Sequence, residues 1–251
     1  MNLTETLVER PSRSATPLVC VVGAGGKKTA LYALAERFER AVVTASVRIP
    51  IFDEHVDRVA VTDDPLAALA DNDDWPLGLV PAREEGGERY LGYENARVGE
   101  IAAAAPGPVL VKADGARMRE FKAPGDHEPR LPSATDTVLP IASAHVVGQP
   151  LTEERVHRPE RVAAVTGLDP GETIGAADVG AVLASPEGGL KGVPEGATVV
   201  PVVNKVDDGD LEATAREVAA AFYERVSEDV RGRVPYVALT RLREGRVVAA
   251  V

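Results

Sequence analysis

The residues richest in chemistry form a glycine run carrying two lysines, Gly23-Ala24-Gly25-Gly26-Lys27-Lys28-Thr29, directly after the apolar stretch Leu18-Val19-Cys20-Val21-Val22. A glycine turn between a buried strand and a helix lets backbone amides approach a phosphate. The helix N-terminus adds favourable partial charge, and a lysine neutralises terminal phosphates. The run supplies those parts and is read as a nucleotide phosphate site. It departs from the strict P-loop pattern: with Gly26-Lys27 in register, Val21 stands at the first glycine and Lys28 at the hydroxyl that ordinarily ligates Mg²⁺. Thr29 is then the residue left to reach a metal, or Lys28 replaces the metal as a second fixed charge. The plain structural alternative is a tight turn whose glycines only permit close helix–strand packing.

Further motifs follow other apolar runs. Val109-Leu110-Val111 leads into Lys112-Ala113-Asp114-Gly115, where an acid at the carboxyl edge of a parallel sheet can hold Mg²⁺ or its water. Asp-Gly is equally an ordinary turn signal. Ala197 to Val203 leads into Asn204-Lys205-Val206-Asp207, the N-K-x-D pattern with which GTPases read guanine. Such a short motif recurs by chance, so the order carries the weight: phosphate loop, acidic strand end, then N-K-x-D is the arrangement of a GTPase-like site.

For these motifs to meet, buried strands must end at one edge of a sheet. Besides the runs above, strands are expected at 41–44, 59–61, 136–142, 144–147, 236–239 and 247–251. Helices are expected at 29–40, 65–70, 94–105, 152–165, 174–183 and 211–230. Strands alternating with helices imply a three-layer, mostly parallel α/β fold of the P-loop NTPase-like kind. With no internal repeat or clear linker, residues 1–251 read as a single domain, 1–16 being a flexible tail. Ala116 to Thr135, with Pro124, Pro129 and Pro132, is too long for a plain connection and is marked as functional or disordered.

Composition narrows the classes. The chain has 251 residues, 45% of them hydrophobic, and a net charge of −11, which disfavours the phosphate backbone of nucleic acids as a partner. No apolar run reaches the roughly 20 residues of a membrane span, and residues 1–16 carry no signal core. With a single cysteine, Cys20, a cytoplasmic location is expected. Arginine far outnumbers lysine and aromatics are only 4%, composition that points to a GC-rich or halophilic source. All six lysines, Lys27, Lys28, Lys112, Lys122, Lys191 and Lys205, fall in motif stretches. Several are expected to line one anion pocket in which lysine partly replaces a metal.

The glycine loop, Lys112-Ala113-Asp114-Gly115-Ala116-Arg117 through Phe121-Lys122-Ala123-Pro124-Gly125-Asp126-His127-Glu128-Pro129, Val156-His157-Arg158-Pro159-Glu160, Gly188 to Pro194 and Asn204 to Asp207 resemble the YqeC family. The resemblance covers about Leu18 to Asp207. It implies a nucleotide-binding protein, GTP or ATP, that assists selenium cofactor biosynthesis and the maturation of a selenium-dependent molybdenum hydroxylase. The family's G-G-K-T-T, T-T-T-H and E-A-D-G stretches become Gly25-Gly26-Lys27-Lys28-Thr29, Thr44 to Arg48 and Lys112 to Gly115 here. Each change removes a metal ligand or base, and most add positive charge, which favours a polyanion and weakens Mg²⁺.

In this reading Gly23, Gly25, Gly26, Lys27, Lys28, Thr29 and Lys112 hold the nucleotide phosphates. Thr29 and Asp114 meet any Mg²⁺, Asn204, Lys205 and Asp207 meet the base, and Lys122, His127 and Glu128 bound a second substrate. Asp114, His127 and Glu128 are the catalytic candidates, although Glu128 and the prolines could equally anchor the loop. Arg158 suits a bidentate clamp on phosphate or carboxylate, or a helix-terminal ion pair. The histidines lack zinc-ligand spacing. A degenerate, non-hydrolysing scaffold or carrier and a small-molecule kinase are the rival functions.

Overall fold

The computed structural model describes residues 1–12 and 14–251. In chain order its strands are β1 (Leu18–Gly23), β2 (Val42–Ala45), β3 (Ile49–Pro50), β4 (Arg58–Val61), β5 (Leu77–Val80), β6 (Arg89–Tyr90), β7 (Val109–Lys112), β8 (Phe121–Lys122), β9 (Thr137–Ser143), β10 (Val156–His157), β11 (Thr198–Val199), β12 (Val202–Asn204), β13 (Ala238–Arg241) and β14 (Arg246–Ala250). The helices are α1 (Lys27–Ala35), α2 (Pro65–Ala70), α3 (Asn95–Ala104), α4 (Pro159–Thr166), α5 (Ala176–Ala184), α6 (Gly209–Arg225) and α7 (Glu228–Arg231). One ten-stranded sheet runs β14-β13-β12-β9-β1-β7-β2-β5-β4, with β11 also on β9. Only the β13–β14 pairing in it is antiparallel. The chain thus adopts the expected three-layer, mostly parallel α/β architecture.

Alternation of side chains builds the layers. Val19 and Val21 of β1 share one cluster with Leu31 and Leu34 of α1, whereas Leu18, Cys20 and Val22 face Val98 and Ile101 of α3 on the other side. Further along that second face, Val182 of α5 and Val218 and Phe222 of α6 pack with Ala142, Val203 and Leu239. Because helices cover both faces, the central strands read as unbroken apolar runs. Parallel pairing also brings the strand ends to one edge: Val21 registers with Lys112, Gly23 with Ile141, and Asn204 with Ser143.

Several local expectations are corrected, each for an identifiable reason. Within the segment expected as a tail, residues 3–8 pack against the fold, and Arg13 lies outside the described residues. Leu3, Leu7 and Val8 are buried around a π-helical turn at Glu5–Glu9, and Tyr236 Oη donates to Thr6 O at 2.7 Å. The helix expected from residue 152 begins only at Pro159, whose ring favours the first helical turn, while β10 runs extended beside β8. Pro201 cannot donate to a ladder and separates β11 from β12. Residues 144–146 make a 3₁₀ turn in place of a strand, with Ser143 Oγ accepting from His145 N. The helix expected to reach 230 stops at Arg225, and α7 starts anew after Ser227. β5 carried no sequence expectation; its Gly78 leaves room for the Phe52 ring.

Candidate functional site

The glycine loop leaves β1 at the carboxyl edge and enters α1 at Lys27. Gly23, Gly25 and Gly26 have φ of 88°, 88° and 148°, and a Cβ on any of them would run into Ile141, Ser143 or the Asn204 amide. Three loop amides are engaged by the protein: Gly23 N donates to Asp114 Oδ2 (2.9 Å), Ala24 N to Ile141 O (2.8 Å) and Gly25 N to Arg119 O (3.1 Å). Gly23 and Gly25 therefore supply shape. The first intrahelical bond is Ala30 N to Gly26 O, so the amides that helix geometry leaves for an anion run from Gly26 to Thr29.

Beneath this turn lies a buried chain of alternating charge. Lys27 Nζ donates to Gly23 O and lies 2.9 Å from Asp114 Oδ1; Lys122 Nζ lies 2.9 Å from Asp114 Oδ2. Lys122 also donates to Gly115 O (2.5 Å) and Glu128 Oε2 (2.9 Å), and its side chain is 0% exposed. Glu128 Oε1 accepts from Gly115 N at 3.0 Å, and Oε2 also takes Arg158 Nη1 at 2.7 Å. The order is Lys27, Asp114, Lys122, Glu128, Arg158. Burial alone would push Asp114 upward, but the ammoniums of Lys27 and Lys122 hold its carboxyl below the usual range. Glu128, pushed up by burial and pulled down by Lys122 and Arg158, ends at about 2.

These contacts redistribute the expected roles. Asp114 is ion-paired with Lys27 and Lys122 and its Oδ2 accepts from Gly23 N, while the buried Oδ1 accepts no hydrogen bond, so a metal there would have to compete with two ammoniums. Lys122 and Glu128 are the frame of the site. His127 lies exposed on the proline loop, whereas His157, which the motif reading passed over, is paired in register with Lys122. Burial, Arg158 and Lys122 pull His157 down to about 4, leaving it neutral near pH 7. Lys112 is buried with Nζ donating to Arg48 O at 2.6 Å; burial and the neighbouring Lys27 lower it to about 7. Lys28 and Thr29 are half-buried in the first turn of α1.

The N-K-x-D residues divide. Asn204 Nδ2 donates to Gly25 O (2.8 Å), and its Oδ1 accepts from Leu242 N (3.0 Å) and Thr240 Oγ1 (3.2 Å), so this amide braces the glycine loop. Lys205, at φ 63°, pairs with both oxygens of Glu120 at 2.6 and 2.7 Å. Asp207 remains at the surface, with its Oδ2 2.9 Å from His145 Nε2. No group of three or more acidic, His or Cys side chains able to hold a metal occurs among the described residues. No helix of the described residues is long and apolar enough to cross a membrane.

Comparison with known proteins places most of this site inside one family. The model of the YqeC protein family matches residues 19–160, which include the glycine loop, Asp114, the proline loop and Arg158; Asn204 to Asp207 lie beyond the match. An uncharacterized YqeC protein of Escherichia coli (strain K12) is 29% identical over 196 residues, covering 75% of each chain.

Proposed function

We propose, from the premise that this chain belongs to the YqeC protein family, that it binds a purine nucleotide through its glycine loop and serves as an accessory protein in selenium cofactor biosynthesis. In that role it assists the maturation of a selenium-dependent molybdenum hydroxylase. The observation that carries nucleotide binding is Lys27, the first residue of α1, held 2.9 Å from Asp114 at the end of the adjacent parallel strand. A lysine there can exchange one carboxylate for the terminal phosphates, while the first-turn amides from Gly26 to Thr29 take phosphate oxygens. Asp207 is the N-K-x-D side chain left to meet a base.

The pairing of Asp114 with the ammoniums of Lys27 and Lys122 favours a nucleotide held with little help from Mg²⁺, and it favours a carrier over a fast hydrolase. Calorimetric titration with ATP and GTP, each with and without Mg²⁺, tests both points on wild type and Lys27→Ala. Binding that Lys27→Ala abolishes supports the reading. A preference for GTP lost in Asp207→Ala assigns the base contact. Absence of binding by either nucleotide overturns the reading, and phosphate release from the same samples separates enzyme from carrier.

A further inference from the structure

We propose that Arg158, Arg117 and His157 form a second anion subsite at the end of the charge chain opposite Lys27, shaped for the carboxylate or phosphate group of an acceptor molecule. The acceptor role rests on the nucleotide reading above; anion binding at this end does not.

The donors left over by the frame point there. Lys122 is fully buried, whereas Arg158 uses one of its N–H groups on Glu128 and its side chain is 29% exposed. Its guanidinium lies flat against Gly125, where a Cβ would meet Cζ at 3.0 Å, so the fork is oriented before any ligand arrives. Arg117 and Met118 are the two central residues of a tight turn closed by Arg119 N to Ala116 O at 2.9 Å, with φ of 46° and 64°. That is the type I′ geometry that Asn-Gly normally fills. Non-glycine residues at such angles cost about 1–2 kcal/mol each and persist where the surroundings or a function require them.

Among the described residues the non-glycine positions with positive φ are Arg117, Met118, Arg158 and Lys205. All four lie in loops at the carboxyl edge, and three are cationic. Burial first, and then the neighbouring Arg158 and Lys122, hold the His157 imidazole neutral near pH 7, so it can offer a hydrogen bond to an oxyanion without adding a third charge. The cavity beside the charge chain, bounded by Gly23, Asp114, Lys122 and Leu183, is about 20 Å³, enough for about one water.

The test is calorimetric titration of the full chain with orthophosphate at fixed ionic strength. Two sites are expected. Lys27→Met should remove the one at the glycine loop. Arg117→Asn/Met118→Gly should weaken the other roughly tenfold while leaving the thermal midpoint at or above that of wild type, because Asn-Gly suits the turn. Acetate that displaces only the second orthophosphate marks a carboxylate acceptor, and acetate that displaces neither marks a phosphate. A single site, or none, with no change in the double variant overturns the subsite even if nucleotides bind. An Arg117-dependent site without ATP or GTP binding keeps the subsite and retires the nucleotide reading.

Discussion

Two loops meet at Asp114, and they are held in opposite ways. The glycine loop, Gly23 to Gly26, is set by its backbone: its conformation requires positive φ, and neighbouring strands leave no room for a Cβ. The proline loop, Ala116 to Thr135, is set by side-chain charge, with Glu128 fastening Gly115 N, Lys122 and Arg158 into one cluster. Each loop sends one lysine to the same carboxylate, Lys27 to Oδ1 and Lys122 to Oδ2. A backbone-defined turn keeps its shape whatever its lysine does. A charge-defined loop keeps its shape only while its counter-ions stay paired, so ligand chemistry and loop order are coupled on that side alone.

Asp114→Asn attacks both loops and carries the largest expected effect. Two buried ammoniums would lose their shared counter-charge, a loss of about 3–5 kcal/mol by the usual cost of breaking a buried pair. Urea unfolding followed by circular dichroism measures it. A loss under about 1 kcal/mol would mean that Lys27 and Lys122 find other partners and that Asp114 does not join the loops.

Gly26→Ala tests the backbone-held side. The substitution places a methyl against the Asn204 amide at φ 148° and is expected to cost about 2–3 kcal/mol. Adding Asn204→Ala should return part of that loss, a coupling that a double-mutant cycle reads directly. Additive effects would show that the glycine is needed for its dihedral angles alone.

This contrast also decides what could be read in the sequence. Glycines, apolar runs and the order of strand-end motifs are local signals, so the sheet, the turn and the position of Asp114 were legible. The engagement of Asn204 with Gly25 O, 179 positions apart, was not, because the motif names the residue without naming its partner. Nor was the pairing of Glu128 with Arg158, which depends on a two-residue ribbon between β8 and β10 too short for any periodicity. His127 drew attention as part of a compact motif, while His157 looked ordinary; only the register with Lys122 distinguishes them.

Glu128→Gln tests the charge-held side. The amide can still accept from Gly115 N but loses its ionic bonds to Lys122 and Arg158, at a cost of about 2 kcal/mol. The pH dependence has a definite sign. A carboxyl lowered on folding from 4.5 to about 2 contributes fully above its unfolded value, and that contribution is lost as pH falls from about 4.5 toward 2. Wild type should therefore lose urea resistance across that window, and Glu128→Gln should show a shallower decline. Parallel profiles would place the acid sensitivity elsewhere.

The smallest effect is expected one position away. His127 is exposed and, unlike its neighbour, takes no part in the charge cluster, so His127→Ala should shift stability by no more than about 0.5 kcal/mol. It should also leave orthophosphate and nucleotide binding as they are in wild type. Set beside Glu128→Gln, the pair separates two readings of the same motif. If the histidine were the working residue, binding or turnover would fall with stability intact. If the motif exists to fasten the loop, the glutamate variant alone will loosen it, because the charges it joins come from the strand end at Gly115, from Lys122 and from Arg158, and none of these touches the imidazole of His127.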